Sequence, residues 1–136
     1  MIYLVSIPKE VVVPFREIAR QMDIPEDFLA KILKILVDEN LVESTRGPHG
    51  GYALARSSNA ISVLDVIEAV EGPVALNVCL DGEHTCGHSN CCTMAPIWRI
   101  GQEKMLDVYR ETKLSSLAVK PADNGKVGLV SLGSGR

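Results

Sequence analysis

The sequence predicts a mainly α-helical fold with one small β-hairpin, in the form of a winged helix-turn-helix domain followed by a long C-terminal helix. Hydrophobic residues recur at helical spacing on both sides of a break at residues 23–25. A glycine-rich turn at residues 47–51 then separates two strand-like segments. A further long stretch of helical spacing begins at residue 93, well beyond the hairpin.

The chain opens with an apolar segment, Met1–Val5, that lacks a capping residue at its start. We therefore expect it to form the last turns of a helix whose beginning precedes Met1. A short amphipathic helix should follow Pro14, because apolar side chains repeat at i, i+3, i+4 and i+7. These are Phe15, Ile18, Ala19 and Met22.

A second helix should start at Pro25 and continue to about Asn40. Glu26 and Asp27 favour this start because carboxylates interact well with the positive end of the helix dipole. The apolar stripe of this helix consists of Leu29, Ile32, Leu33, Leu36 and Val37. The two helices and the tight turn between them predict a helix-turn-helix.

The segments 41–44 and 52–55 predict the two strands of a wing around the glycine-rich turn. Ser62 is a good N-cap for the next helix, which Gly72 and Pro73 should end. Its predicted buried face is Val63, Val66, Ile67 and Val70.

The last predicted helix runs from Thr93 to about Thr112. Its apolar residues at helical spacing are Met94, Ile97, Trp98, Met105 and Val108. A domain this small cannot bury such a helix alone, so the pattern implies a partner helix.

Composition limits the class of protein. With 136 residues the chain can form one compact domain with an appended element. The net charge of -3 argues against coating nucleic acid by bulk electrostatics, so any contact with DNA must be local. No apolar run reaches the roughly 18 residues of a membrane span, and Met1 is not followed by the basic and apolar stretches typical of a secretory signal. We therefore expect a cytoplasmic protein without a membrane partner.

The helix-turn-helix and wing carry cations where double-stranded DNA would lie. Arg46 and Arg56 flank the hairpin, and an arginine at a hairpin tip suits the negative potential of a narrow minor groove. His49 would contact phosphate, and Lys31 and Lys34 partly offset the acidic start of the second helix. The simpler interpretation is that Arg46 only solvates a turn.

Three stretches of the sequence closely resemble the Rrf2 family of transcription regulators. They are the wing at 46–56, the segment 61–73 with its "DVIEAVEGP" ending, and the spaced cysteines followed by Pro96-Ile97-Trp98. The resemblance covers about residues 2–118. It implies a homodimer joined by the C-terminal helix, with Arg46 inserted into the minor groove. It also puts Asp27, Phe28, Ala30 and Lys31 at base-reading positions, where Ala30 and Lys31 replace a polar pair.

Four cysteines lie within residues 79–92, and the chain has no others. In a reducing compartment this favours metal or redox chemistry over a disulfide framework. The resemblance implies an iron–sulfur cluster, either 2Fe-2S or 4Fe-4S, on Cys79, Cys86 and Cys92. The histidine that some members supply three residues after the last cysteine is replaced by Ala95. Open candidates for the further ligand are Cys91, His84 and His88, or a group that precedes Met1.

Two alternatives keep the DNA-binding domain but change the sensor. Structural zinc would use four of these Cys and His residues, although the paired knuckles typical of zinc are missing apart from the Cys86–Cys91 spacing. Thiols without metal could instead form a reversible disulfide through Cys86 or Cys91. A small redox enzyme or electron carrier is a different class. The cysteine segment offers it neither a triad-like set nor a phosphate cradle, so we expect no catalytic residues and no small-molecule substrate.

Together these observations predict four regions and one function. The regions are a DNA-binding domain at 1–73, a cysteine-rich sensor loop at 74–92, a dimerisation helix at 93–118 and a flexible tail at 119–136. The predicted function is transcription regulation in which the sensor loop modulates operator binding.

Overall fold

The computed structural model describes residues 1–82, 86–88 and 91–118. The predicted tail at 119–136 therefore lies outside the described residues. The helices and strands are α1 (Ile2–Val5), α2 (Phe15–Met22), α3 (Glu26–Asp38), β1 (Val42–Thr45), β2 (Gly51–Leu54), α4 (Val63–Glu71) and α5 (Ala95–Glu111). Short 3₁₀ turns lie at Ser58–Ala60, Val78–Leu80 and Leu114–Leu117. Within these ranges no helix combines the length and apolar character needed to cross a membrane.

The helix-turn-helix forms as the apolar spacing predicts. Asp23 ends α2 in the left-handed conformation, with φ of 52°. Pro25 occupies the N-cap position of α3, so the helix starts at Glu26, one residue later than predicted. Leu29, Leu33 and Leu36 form the buried face of α3. Because these leucines lie on one side of the helix, the opposite face of α3 is exposed to solvent.

The wing is an antiparallel hairpin that pairs Val42 with Leu54 and Thr45 with Gly51. Val13 adds a one-residue strand: its N–H and carbonyl each bond the backbone of Tyr52 at 2.9 Å. A Cβ on Gly51 would overlap the Val13 carbonyl oxygen, and a Cβ on Gly50 would overlap that of Thr45. The glycine pair is therefore what allows the backbones to approach this closely.

One hydrophobic core joins these elements. Leu41, Val42 and Ile61 are the largest fully buried side chains. The other buried members of this core are Tyr3, Leu4, Val13, Ile18, Ala19, Leu29, Leu33, Leu36, Leu54 and Leu114. The Tyr3 hydroxyl donates to Glu17 Oε1 at 2.7 Å and so ties α1 to α2. Burial and this hydrogen bond raise the pKa of Tyr3 to about 12.

The predicted N-cap of α4 is confirmed as a capping box. Asp65 N–H donates to Ser62 Oγ at 3.1 Å, and Ser62 N–H donates to Asp65 Oδ2 at 2.7 Å. This satisfies donors that the start of a helix otherwise leaves free.

The apolar face of α4 is less buried than predicted. Leu64 is the buried residue of this helix, whereas the four predicted residues are only half-buried. They line one side of an open apolar groove, where none of the described residues covers their outer surfaces. Residues along the groove are Met1, Ile2, Met22, Ile32, Leu36, Val63, Val66, Ile67, Val70, Leu114 and Leu117.

The chain returns from α5 to the winged domain. Val63 N–H donates to the Thr112 carbonyl, and Leu114 N–H donates to the Ile61 carbonyl, both at 2.9 Å. Leu114 is buried in the domain core. The helix predicted from Thr93 to about Thr112 thus spans Ala95–Glu111, and residues 112–117 pack on the winged domain.

Candidate nucleic-acid interface and cysteine segment

The first half of α3 presents its predicted reading residues to solvent. Asp27, Phe28, Ala30 and Lys31 are all exposed, because the leucines of α3 occupy the buried side. Lys34 is also exposed, but its Nζ lies 2.8 Å from Asp38 Oδ2. This hydrogen bond raises the pKa of Lys34. Lys31 is therefore the better placed cation for a ligand, since within the described ranges it forms no ion pair.

The wing tip carries two further predicted residues. Arg46 is exposed directly before a turn that the Gly50 N–H closes on the Gly47 carbonyl at 3.0 Å, and His49 is exposed within that turn. Among the residues that the structure describes, neither side chain has a hydrogen-bond or ion-pair partner. A cationic tip of this kind can enter a minor groove without first breaking a contact within the protein.

Arg56, like Lys34, lies beside carboxylates of this chain. It lines a polar pocket together with Glu39, Asp65 and Glu68, on the α4 side of the domain. The Ser62 backbone hydrogen bond lowers the pKa of Asp65, and the charge of Arg56 adds to that effect. Arg56 thus offsets local carboxylates as well as lying near the base of the wing.

The cysteine segment begins against the middle of α5. Leu76 N–H donates to Gln102 Oε1 at 3.0 Å. A Cβ on Gly101 would come within 3.7 Å of the Leu76 side chain. Cys79 follows in the 3₁₀ turn and is half-buried. The first thiol is therefore connected to α5 through a short stretch of chain.

The remaining thiols are free and lie later in the segment. Cys86 and Cys92 are half-buried, and Cys91 is exposed, with its Sγ 3.5 Å from the His88 carbonyl. Three thiols suit iron–sulfur ligation in their chemistry. In residues 1–82, 86–88 and 91–118, however, no three Cys, His, Asp or Glu side chains are grouped as metal ligands. The candidate His84 lies outside those residues.

Comparison with known proteins assigns the family. The profile of the Rrf2 family, described as an iron-dependent transcriptional regulator, matches residues 1–120. The chain belongs to the Rrf2 family. The predicted resemblance is confirmed, and the chain is a DNA-binding transcriptional regulator by family.

Relatives and solved structures agree with this Rrf2 assignment. A helix-turn-helix regulator of Mycobacterium tuberculosis is 35% identical over 119 residues, covering 87% of this chain and 73% of that protein. IscR of Pectobacterium carotovorum is 32% identical over 105 residues, covering 77% of this chain and 63% of that protein. The structure of CymR, the global cysteine regulator of B. subtilis, aligns with a TM-score of 0.72 and 26% identity, covering 86% of this chain and 85% of that one. The winged-helix fold is thereby confirmed as well.

Helix α5 of this Rrf2 protein buries none of its residues within the described chain. Ile97 and Val108 lie on one exposed face, with exposed fractions of 58% and 60%. Other exposed large apolar residues in or near this region are Leu76, Val78, Met94, Trp98 and Ile100. A helix that exposes this much apolar surface has the character of an interface.

Sequence reasoning missed the contact between Leu76 and α5. The available signal was Gly101, because glycine inside a predicted helix is unfavourable and often marks a close approach by another segment. The acidic surroundings of Arg56 were also missed, since Glu39, Asp65 and Glu68 come from separate parts of the sequence.

Proposed function

We propose that this Rrf2 regulator acts as a homodimer whose affinity for operator DNA depends on an iron–sulfur cluster bound by Cys79, Cys86 and Cys92. The observation that carries the proposal is the hydrogen bond from Leu76 N–H to Gln102, which joins the cysteine segment to α5. Through this bond, a change at the thiols would reach the helix that would set the spacing of two DNA-binding domains.

Helix α3 and the wing would supply the contacts with DNA. The exposed start of α3 would enter the major groove, with Asp27, Phe28 and Lys31 near the base edges. Arg46 at the wing tip would enter the flanking minor groove, and His49 would contact phosphate. Lys34 and Arg56 would contribute less, because carboxylates of this chain lie beside them.

The chemistry of the candidate ligands supports an iron–sulfur cluster. Thiolates are soft, charged ligands that tolerate a change in the oxidation state of iron. Cys79, Cys86 and Cys92 would hold the group, and Cys91, His88 or His84 would complete the ligands. Leu76, three residues before Cys79, would connect a change at this site to α5 through Gln102.

The exposed face of α5 supports the homodimer. Two copies that pack these helices together would bury Ile97, Ile100 and Val108, which are otherwise more than half exposed. A two-fold interface pairs the same patch on both copies, so one apolar face serves both sides.

A combined assay of metal content and DNA affinity tests the proposal. We expect anaerobically purified protein to contain iron and sulfide and to absorb broadly in the visible range. The triple variant Cys79→Ala, Cys86→Ala, Cys92→Ala should lose the iron. Its affinity for a selected operator should then no longer respond to removal of iron. Val78→Ala is the matched control, because Val78 lies in the same 3₁₀ turn as Cys79, is exposed and is not a candidate ligand, so this variant should keep the iron.

Two results would contradict the cluster. A colourless protein that contains zinc would favour the zinc alternative. A metal-free protein whose DNA affinity changes on thiol oxidation would favour a redox switch. The exposed thiol of Cys91 supports that second candidate, because an accessible thiol reacts more readily with oxidants.

A further inference from the structure

Phe28 is an exposed aromatic residue on the face of α3 that we propose reads DNA. It leaves 57% of its surface in contact with solvent. The buried stripe of α3 starts at the next residue, Leu29, so packing does not account for the position of the ring. Lys31 lies three residues further on, which puts the two side chains beside each other on the helix surface.

The neighbours of Phe28 indicate which part of DNA this surface can contact. Asp27 is exposed directly before it, and a carboxylate is repelled by phosphate oxygens. Among base edges, by contrast, a carboxylate can accept a hydrogen bond from the cytosine amino group. The start of α3 therefore suits the base edges of the groove floor better than the sugar–phosphate backbone.

A phenyl ring has no hydrogen-bonding group, so it cannot distinguish bases by donors and acceptors. The apolar feature that base pairs present in the major groove is the C5 methyl group of thymine. We propose that Phe28 is a specificity-determining residue that selects thymine at one position of each half-site by packing against this methyl group. This inference rests on the proposed DNA-binding function of α3.

Replacing thymine by deoxyuridine tests the contact, because it removes the methyl group alone. A preferred site is first selected from a random duplex library, and each thymine in it is then replaced in turn. We expect the replacement at one position per half-site to lower the affinity of the unchanged protein about threefold to tenfold, the loss typical of one buried methyl group. Phe28→Ala should bind the thymine and deoxyuridine duplexes equally.

Two variants complete the design. Phe28→Leu keeps an apolar side chain and should retain part of the thymine preference. Val11→Ala removes a comparably exposed apolar side chain outside α3 and should leave the preference unchanged. Circular dichroism should be the same for all three variants, because both positions are exposed.

Several outcomes would overturn the inference. Equal sensitivity to deoxyuridine in Phe28→Ala and in the unchanged protein would exclude a methyl contact by this ring. A uniform loss of affinity for all duplexes in Phe28→Ala would assign the ring to the backbone instead. If the unchanged protein shows no sequence-selective binding, the proposed function itself fails, and this result is distinct from the first two.

Discussion

The winged domain buries its apolar side chains, whereas α5 leaves its own exposed. In the winged domain Ile61 is fully buried, and Leu41 and Val42 are exposed by only 1%. Helix α5 is 17 residues long and buries none of its residues in the described chain. The first region is thus stabilised by its own packing, whereas the second leaves an apolar face exposed within the described residues. This difference separates residues that maintain the fold from residues that the proposed dimer would use.

Helix α5 is nevertheless connected to the winged domain near its C-terminal end and to the cysteine segment near its middle. Near its C-terminal end, backbone hydrogen bonds connect 61–63 with 112–114. Near its middle, Gln102 accepts from Leu76 at the start of the cysteine segment. Movement of α5 against a partner would therefore also displace the winged domain and the start of the cysteine segment.

The largest expected effect is on the free energy of unfolding, and it should distinguish an isoleucine of the core from an isoleucine of α5. Ile61→Ala should lower the free energy of unfolding by about 2–5 kcal/mol, because it leaves a cavity at a fully buried site. Ile97→Ala should change the stability of the monomer by less than about 0.5 kcal/mol, since that side chain is mostly exposed. Urea unfolding at a protein concentration that keeps the chain monomeric measures both. Equal losses would contradict the distinction between the regions.

Local patterns in the sequence were enough to predict much of the winged domain. The stripe of α2, the glycine-rich wing turn and the Ser62 cap each depend on residues close together in the chain. Contacts between distant residues were not predictable in this way. The bond between Leu76 and Gln102 joins residues 26 positions apart, and the half-buried face of α4 depends on which elements fail to cover it. For the DNA surface, the sequence predicted exposed residues on α3 and the wing, but not the acidic neighbours of Arg56.

The next largest effect concerns assembly through α5. Ile97→Glu should weaken the proposed dimer at least tenfold, about 1.4 kcal/mol, because it introduces a charge into the apolar face. Arg99→Glu introduces the same side chain on another side of the helix and serves as the control. Sedimentation equilibrium gives both dissociation constants. An unchanged dimer in Ile97→Glu would move the interface away from this face.

A smaller effect is expected at the capping box of α4. Ser62→Ala should cost about 1 kcal/mol, as is typical for the loss of an N-cap. The Ser62 backbone hydrogen bond lowers the pKa of Asp65 in the folded chain. A lowered carboxyl pKa adds stability above the unfolded value of about 4, and this stability is lost as the pH falls through the folded value.

Unfolding measured from pH 7 down to pH 3 checks the sign of this contribution. Asp65→Asn should show a weaker loss of stability across the acidic range than the unchanged protein. If the two proteins lose stability in parallel, other carboxylates dominate acid unfolding and the box contributes little to it.

The smallest effect is expected for a charged pair on α5 itself. Arg110 and Asp107 lie 2.7 Å apart, but their side chains are 57% and 59% exposed. Water and salt screen such a pair, so Asp107→Asn should change the free energy of unfolding by less than about 0.5 kcal/mol. Urea unfolding at low and high salt measures this difference. A larger, salt-sensitive loss would mean that α5 is stabilised by its own charges; a negligible loss leaves its apolar face as the surface through which a partner would stabilise it.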